Sequence, residues 1–290
     1  MPTHRSSVLP VLTLLAAASL TACGDSTGVD GPGSVALNFR VAPTSSSFAA
    51  AVLEGAPAAV PARATDVSGS NGTLTIDEVW LIVAEAELDG DDDWCEDSDG
   101  EDSGSSGSSS ASSDCAEFEA PPRFLELPLD GSPVLAFQGL VPPGTYTELE
   151  FEIEDLDDDE DDEEFAAEIA ALRDVVLDRF PDWPRNASAR VQGSFQPTDD
   201  QGIPTGDPVD FTVYLEAEIE VERTLSPPLV VADDGTGASD LTVDVQLEVW
   251  FSRSDGSVID LSLYDYESTG LILEIEVEME DGFTEIEFDD

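Results

Sequence analysis

The 290-residue chain carries 65 acidic residues against ten arginines, with no lysine and one histidine, for a net charge of −55. Such a surface repels nucleic acid and anionic lipid headgroups, which makes both poor partners on electrostatic grounds. High charge alone implies disorder, but 41% of the residues are hydrophobic and fall in periodic runs, enough for a substantial core.

His4 and Arg5 give a short positive start, and Val8 to Leu20 forms a 13-residue, mostly apolar run. That run is too short to span a bilayer as a helix and suits a signal-peptide core. The sequence that closes it, Leu20-Thr21-Ala22-Cys23, resembles the lipobox of bacterial lipoproteins. The resemblance implies that Cys23 is diacylated with fatty acids such as palmitate, freed by cleavage after Ala22 and then N-acylated. Residues 1–22 are read as a lipoprotein signal peptide, and the Gly- and Asp-rich residues 23–34 as a flexible tether. The lipid makes the membrane contact, since two or more chains suffice for stable anchoring. Gly24 stands where lipoproteins retained at the inner membrane of enteric bacteria carry Asp. The expected location is therefore the bacterial cell envelope, at the outer membrane.

Cleavage at Cys23 removes His4 and Arg5, leaving 268 residues with nine arginines, 65 acids and neither His nor Lys. His-based triads, His-ligated zinc and Schiff-base chemistry are thereby excluded. Carboxylate chemistry of the glycosidase or acid-protease kind survives, but among 65 acids a carboxylate pair carries little information.

In chain order, Val35 to Val41 predicts a first strand and Ala42 to Gly72 an irregular Ala/Pro/Ser excursion. Leu74, Ile76, Val79, Leu81 and Val83 predict a long strand whose phase breaks near Asp77-Glu78, the mark of a bulge. Cys95 and Cys115 then bracket 19 residues of almost pure Asp, Glu, Ser and Gly. On the oxidising envelope side they are expected to form a disulfide, closing the disordered loop 96–114 and contributing about 3 kcal/mol. Leu149, Phe151 and Ile153 alternate with Glu148, Glu150, Glu152 and Glu154. The same period recurs in Phe211 to Val221 against Glu216 to Glu222, in Leu241 to Phe251, and in Leu271 to Met279 against Glu274 to Glu280. Period two with one apolar face predicts antiparallel sheet packed on one side and wet on the other. If two of the Glu-bearing strands are neighbours, like charges face each other at about 5 Å.

One segment follows another period. Phe165, Ile169, Leu172, Val176 and Phe180 form a helical stripe, with Asp161 to Glu164 at its start, Arg173 and Arg179 towards its end, and Pro181 as its stop. The predicted architecture is thus one mainly β domain over residues 35–290, an antiparallel sandwich with a single amphipathic helix inserted at about residues 162–180 and packed across the sheet.

The acidic runs raise calcium, which takes oxygen ligands. Asp155, Asp157 and Asp159 match positions 1, 3 and 5 of an EF-hand loop, but Glu160 replaces the turn glycine and Ala166 the final glutamate. Loosely held divalent cations are expected in preference to a caged ion, and no cofactor. Of the four tryptophans, Trp250 falls on the polar face of its predicted strand and is the candidate for stacking on a sugar, with Trp80, Trp94 and Trp183 assigned to packing.

Pro142-Pro143-Gly144-Thr145-Tyr146 is similar to the Pro-Gly-x-Tyr strand entry of prealbumin-like and immunoglobulin-like sandwich domains, with Tyr146 packing under the turn. Asp114 to Phe118, Phe124 to Asp130, the turn with Glu150 to Ile153, Ala189 to Phe195, Pro227 to Val231 and Leu241 to Phe251 follow in order. That order resembles a family of uncharacterised bacterial lipoproteins carrying a domain of unknown function with a predicted prealbumin-like β-sandwich. The likeness spans about Thr73 to Ser262 and implies a fold but no catalytic residues. The expected function is a non-enzymatic binding or structural module of the envelope. The alternatives are a calcium- or carbohydrate-dependent adhesion module and a carboxylate hydrolase. A divalent cation, a glycan or another envelope protein are the partners these readings name.

Overall fold

The computed structural model describes residues 33–43, 64–90, 118–156, 165–232, 238–275 and 279–289. Their strands in chain order are β1 (Gly33–Val41), β2 (Thr65–Gly69), β3 (Gly72–Val83), β4 (Glu85–Gly90), β5 (Phe118–Ala120), β6 (Arg123–Glu126), β7 (Val134–Val141) and β8 (Gly144–Ile153). Helix α1 (Ala166–Arg179) follows, then β9 (Ala189–Pro197), β10 (Val209–Glu216), β11 (Ile219–Val231) and β12 (Ala238–Val245). The chain closes with α2 (Leu247–Phe251), a 3-10 turn (Leu261–Tyr264), α3 (Tyr266–Thr269), β13 (Ile272–Glu274) and β14 (Phe283–Asp289). The protein is mainly β, as the alternating pattern predicts.

The strands form three sheets. One has the order β14-β12-β1-β7, a second β13-β10-β9-β3-β2 with β6 also on β3, and a third β11-β8-β4-β5. The second and third sheets are continuous through two long strand paths. Only Ala84 separates β3 from β4, and only Ala217-Glu218 separates β10 from β11. Between these paths, β8 and β9 occupy the same lane: β8 pairs with β4 and β11, and β9 with β3 and β10. The segment between them, which carries α1, is thus an insertion into one lane of a bent sheet. Ser188 ties the bend. Its buried hydroxyl donates to the Leu215 carbonyl at 3.3 Å and accepts the Ala217 N–H at 3.0 Å.

One core joins all three sheets. Phe39 of β1, Phe151 of β8 and Phe283 of β14 are fully buried, with ring centroids 5.1, 5.9 and 5.1 Å apart. Burying each such ring contributes about 1.5–3 kcal/mol. A second cluster lies under α1 on the opposite face of β3, β6 and β10, built from Ile82, Val176, Trp183 and Tyr214 with Ile169, Leu172, Phe124 and Phe180 at its edge. The helical stripe read from sequence is the face that packs there. Asp161 to Glu164 and the rest of 157–164 lie outside the described residues.

Several details depart from the sequence expectation. The sheets are not wholly antiparallel: β1 pairs parallel with β12 over eight residues, and β10 with β13 over three. Parallel pairing needs a long crossover, and most of the chain intervenes between β1 and β12. The predicted strand from Leu241 to Phe251 ends at Val245, because Leu247, Trp250 and Phe251 bury at helical spacing i, i+3, i+4. The single expected helix is therefore joined by α2 and α3. The run Phe211 to Val221 keeps all six apolar residues in the core, but across the bend between β10 and β11. The run Leu271 to Met279 yields only the three-residue β13, with Leu271 half exposed and residues 276–278 outside the described set. The bulge near Asp77-Glu78 is present as a register shift between Ile76 and Glu78.

Candidate functional site

Alternation on β4, β8 and β11 puts Ala86, Leu88, Leu149, Phe151, Ile153, Ile219 and Val221 in the core. The residues between them, almost all acidic, must then face outward. Register lines them up. Glu152 stands opposite Glu85 of β4 and Glu220 of β11, and Glu150 opposite Glu87 and Glu222. Glu148 stands opposite Asp89 and Thr224, and Glu87 opposite Glu119 of β5. Cross-strand side chains sit about 5 Å apart, so the sheet carries rows of facing carboxylates.

Glu150 is the centre of this face. Partial burial, then the charges of Glu220, Glu222, Glu152 and Asp89, push its pKa up to about 7. Three overlapping sets share it: Glu87, Asp89 and Glu150; Glu148, Glu150 and Glu222; Glu150, Glu152 and Glu220. Within each set one oxygen per residue lies within 4.8 Å of the others. A calcium ion holds oxygens at about 2.3–2.6 Å, so each set spans the separation one ion bridges. Chemically the face can concentrate cations and exchange protons near neutral pH.

The positions named from sequence fare differently. Cys23, Cys95, Cys115, Trp94, Asp157 and Asp159 lie outside the described residues. Asp155 follows the end of β8, has interactions of its own, and belongs to none of the three acidic sets. Trp250 is corrected: it is fully buried in α2 against Phe251 and Phe283, so it offers no ring to a sugar. The reason is the switch from strand to helix after Val245, which turns its side chain inward. Trp80 and Trp183 pack in the cluster under α1, with Trp80 stacked on Phe124 at 4.7 Å. Asp89 opens the acidic run Asp89 to Asp93 that offers calcium its oxygen ligands in the sequence, whereas Glu87 is legible only from the alternation Glu85-Ala86-Glu87-Leu88-Asp89, a shorter run of the same period.

The turn before β8 has the expected form. Tyr146 is fully buried, and its hydroxyl donates to the Pro142 carbonyl at 2.9 Å, pinning the Pro-Pro-Gly entry from beneath. No family model, curated protein or solved structure matches the chain.

Proposed function

We propose that this protein is a non-enzymatic module of the bacterial cell envelope, lipid-anchored through Cys23, that offers the carboxylate face of β4, β8 and β11 to cationic partners. The observation that carries the reading is the register: Glu150 stands between Glu87 and Glu222 on strands whose other faces are locked in the core. A face fixed by packing presents its charges without reordering on binding. Divalent cations, loosely held, are the simplest partners, and a cationic segment of another envelope protein uses the same surface. Hydrolytic carboxylates work as a pair across the bond they cut. Here they stand side by side on a sheet surface, which supports binding over hydrolysis. The leader, the lipobox and the buried Tyr146 under its Pro-Pro-Gly turn support kinship with prealbumin-like lipoproteins, and a Cys95–Cys115 disulfide belongs to the same proposal.

Two measurements test it. Metabolic labelling with a fatty-acid analogue should mark the wild type and leave Cys23→Ser unlabelled; equal labelling removes the anchor. Calorimetric titration with calcium should give binding that Glu150→Gln together with Glu222→Gln abolishes; unchanged binding removes the acidic face. A second reading, calcium-dependent adhesion, is favoured by the three oxygen sets around Glu150. A glycan array probed with and without calcium separates it from a purely structural role.

A further inference from the structure

Beyond the acidic face, the arginines are unevenly placed. Of the nine that follow Cys23, Arg123, Arg173, Arg179, Arg185 and Arg190 belong to β6, α1, β9 and the loop between the last two. Two of them clamp aromatic rings: Arg190 lies 4.4 Å from the Phe180 centroid and Arg179 lies 5.2 Å from that of Trp80. Two others, Arg173 and Arg185, line a cavity of ≈ 120 Å³ together with Trp183, Leu156, Val176 and Leu177. Its apolar wall is fixed. Val176 is buried, and the Trp183 indole N–H donates to the Ala187 carbonyl at 2.8 Å, which sets the ring.

We infer that this cavity is a binding site for a small organic carboxylate with a compact apolar body, of the size of benzoate. The volume approaches that of engineered cavities that take benzene, about 150 Å³. The apolar wall favours a hydrocarbon body, and the two guanidinium-bearing residues favour a carboxylate at its end. A guanidinium presents five N–H donors in a planar fork matched to carboxylate oxygens. Arg173 and Arg185 also interact elsewhere, and that fork accommodates a second acceptor. A cation is opposed by both arginines. Inorganic phosphate lacks the body that would cover the wall, and it brings more negative charge towards a chain of net charge −55. The field of that chain selects against multiply charged ligands, while a monoanion at close range feels the two arginines most.

Titration calorimetry of the full chain with benzoate, and with benzyl alcohol as its neutral counterpart, tests the site. Benzoate should bind with a Kd of about 0.1–1 mM, and benzyl alcohol about tenfold more weakly or worse. Arg173→Gln and Arg185→Gln should each weaken benzoate about tenfold, and Arg253→Gln, in a distant turn, should leave it unchanged. Leu177→Trp fills the cavity from its solvent side, where Leu177 is 40% exposed, and should abolish binding in a folded protein. Glu150→Gln should have no effect, which separates this site from the acidic face. Equal affinity for benzoate and benzyl alcohol, no benzoate binding up to about 10 mM, or full binding in Leu177→Trp overturns the inference.

Discussion

Glu150 of β8 stands directly opposite Glu222 of β11 in an antiparallel pair, and Glu87 of β4 stands opposite it on the other side. A carboxylate flanked by carboxylates on both neighbouring strands keeps its proton to higher pH, since the charged form is both partly desolvated and repelled.

Stability should therefore depend on pH around this group. Its folded pKa is about 7 against an ordinary value of 4.5, so between these values the folded chain holds more protons than the unfolded one. The stability it contributes is fully present below about 4.5 and is lost as pH rises through about 7. The melting temperature should fall between pH 5 and pH 8. Glu150→Gln should flatten that fall and raise the melting temperature at pH 8 by about 2–4 °C, as about 1 kcal/mol does for a chain of this size. A profile identical in wild type and variant would show that the row does not strain the fold.

Two buried tyrosines should respond oppositely to loss of their hydroxyls. Tyr146→Phe removes the bond to the Pro142 carbonyl and should cost about 1 kcal/mol in urea unfolding. Tyr214, buried beneath α1, makes no well-formed hydrogen bond at its hydroxyl, and Asp182 and Arg190 are the polar groups that face it. Tyr214→Phe removes a desolvated polar atom and should be neutral or stabilising. Equal losses at the two sites contradict this assignment.

Gly282 is in close contact with Trp250: a Cβ there would come 2.2 Å from the indole ring. Gly282→Ala should destabilise by about 1–3 kcal/mol through overpacking. In a Trp250→Phe background the same change should cost less, because the smaller ring vacates the space. Strictly additive effects from a double-mutant cycle would place the ring elsewhere.

The strand content, the helical stripe, the bulge at Asp77-Glu78 and the buried Tyr146 were legible in the sequence because each is a local pattern of apolar spacing or turn chemistry. The acidic rows were legible only conditionally. Alternation places Glu148 to Glu152 and Glu220 to Glu222 on outer faces, but which strands are neighbours is a property of topology. Trp250 shows the limit most clearly. Val245 and Leu247 continue a period of two, while Leu247, Trp250 and Phe251 equally satisfy a helical spacing, and packing against Phe283 decides between them. The cavity beside Trp183 depends on bringing Leu156 to Val176 and Leu177 across the insertion, which no single window of sequence contains.

The most direct test of the acidic face is the melting temperature as a function of cation type at pH 8. Raising NaCl from about 0.05 to 1 M shortens the screening length to about 3 Å and should raise the melting temperature. Calcium at about 10 mM and matched ionic strength should raise it further, because hard divalent ions bind carboxylate oxygens directly. Glu150→Gln with Glu222→Gln should lose the calcium-specific increment and keep a weaker salt response. A melting temperature indifferent to both salt and calcium, or a calcium increment unchanged in the double variant, would contradict the account.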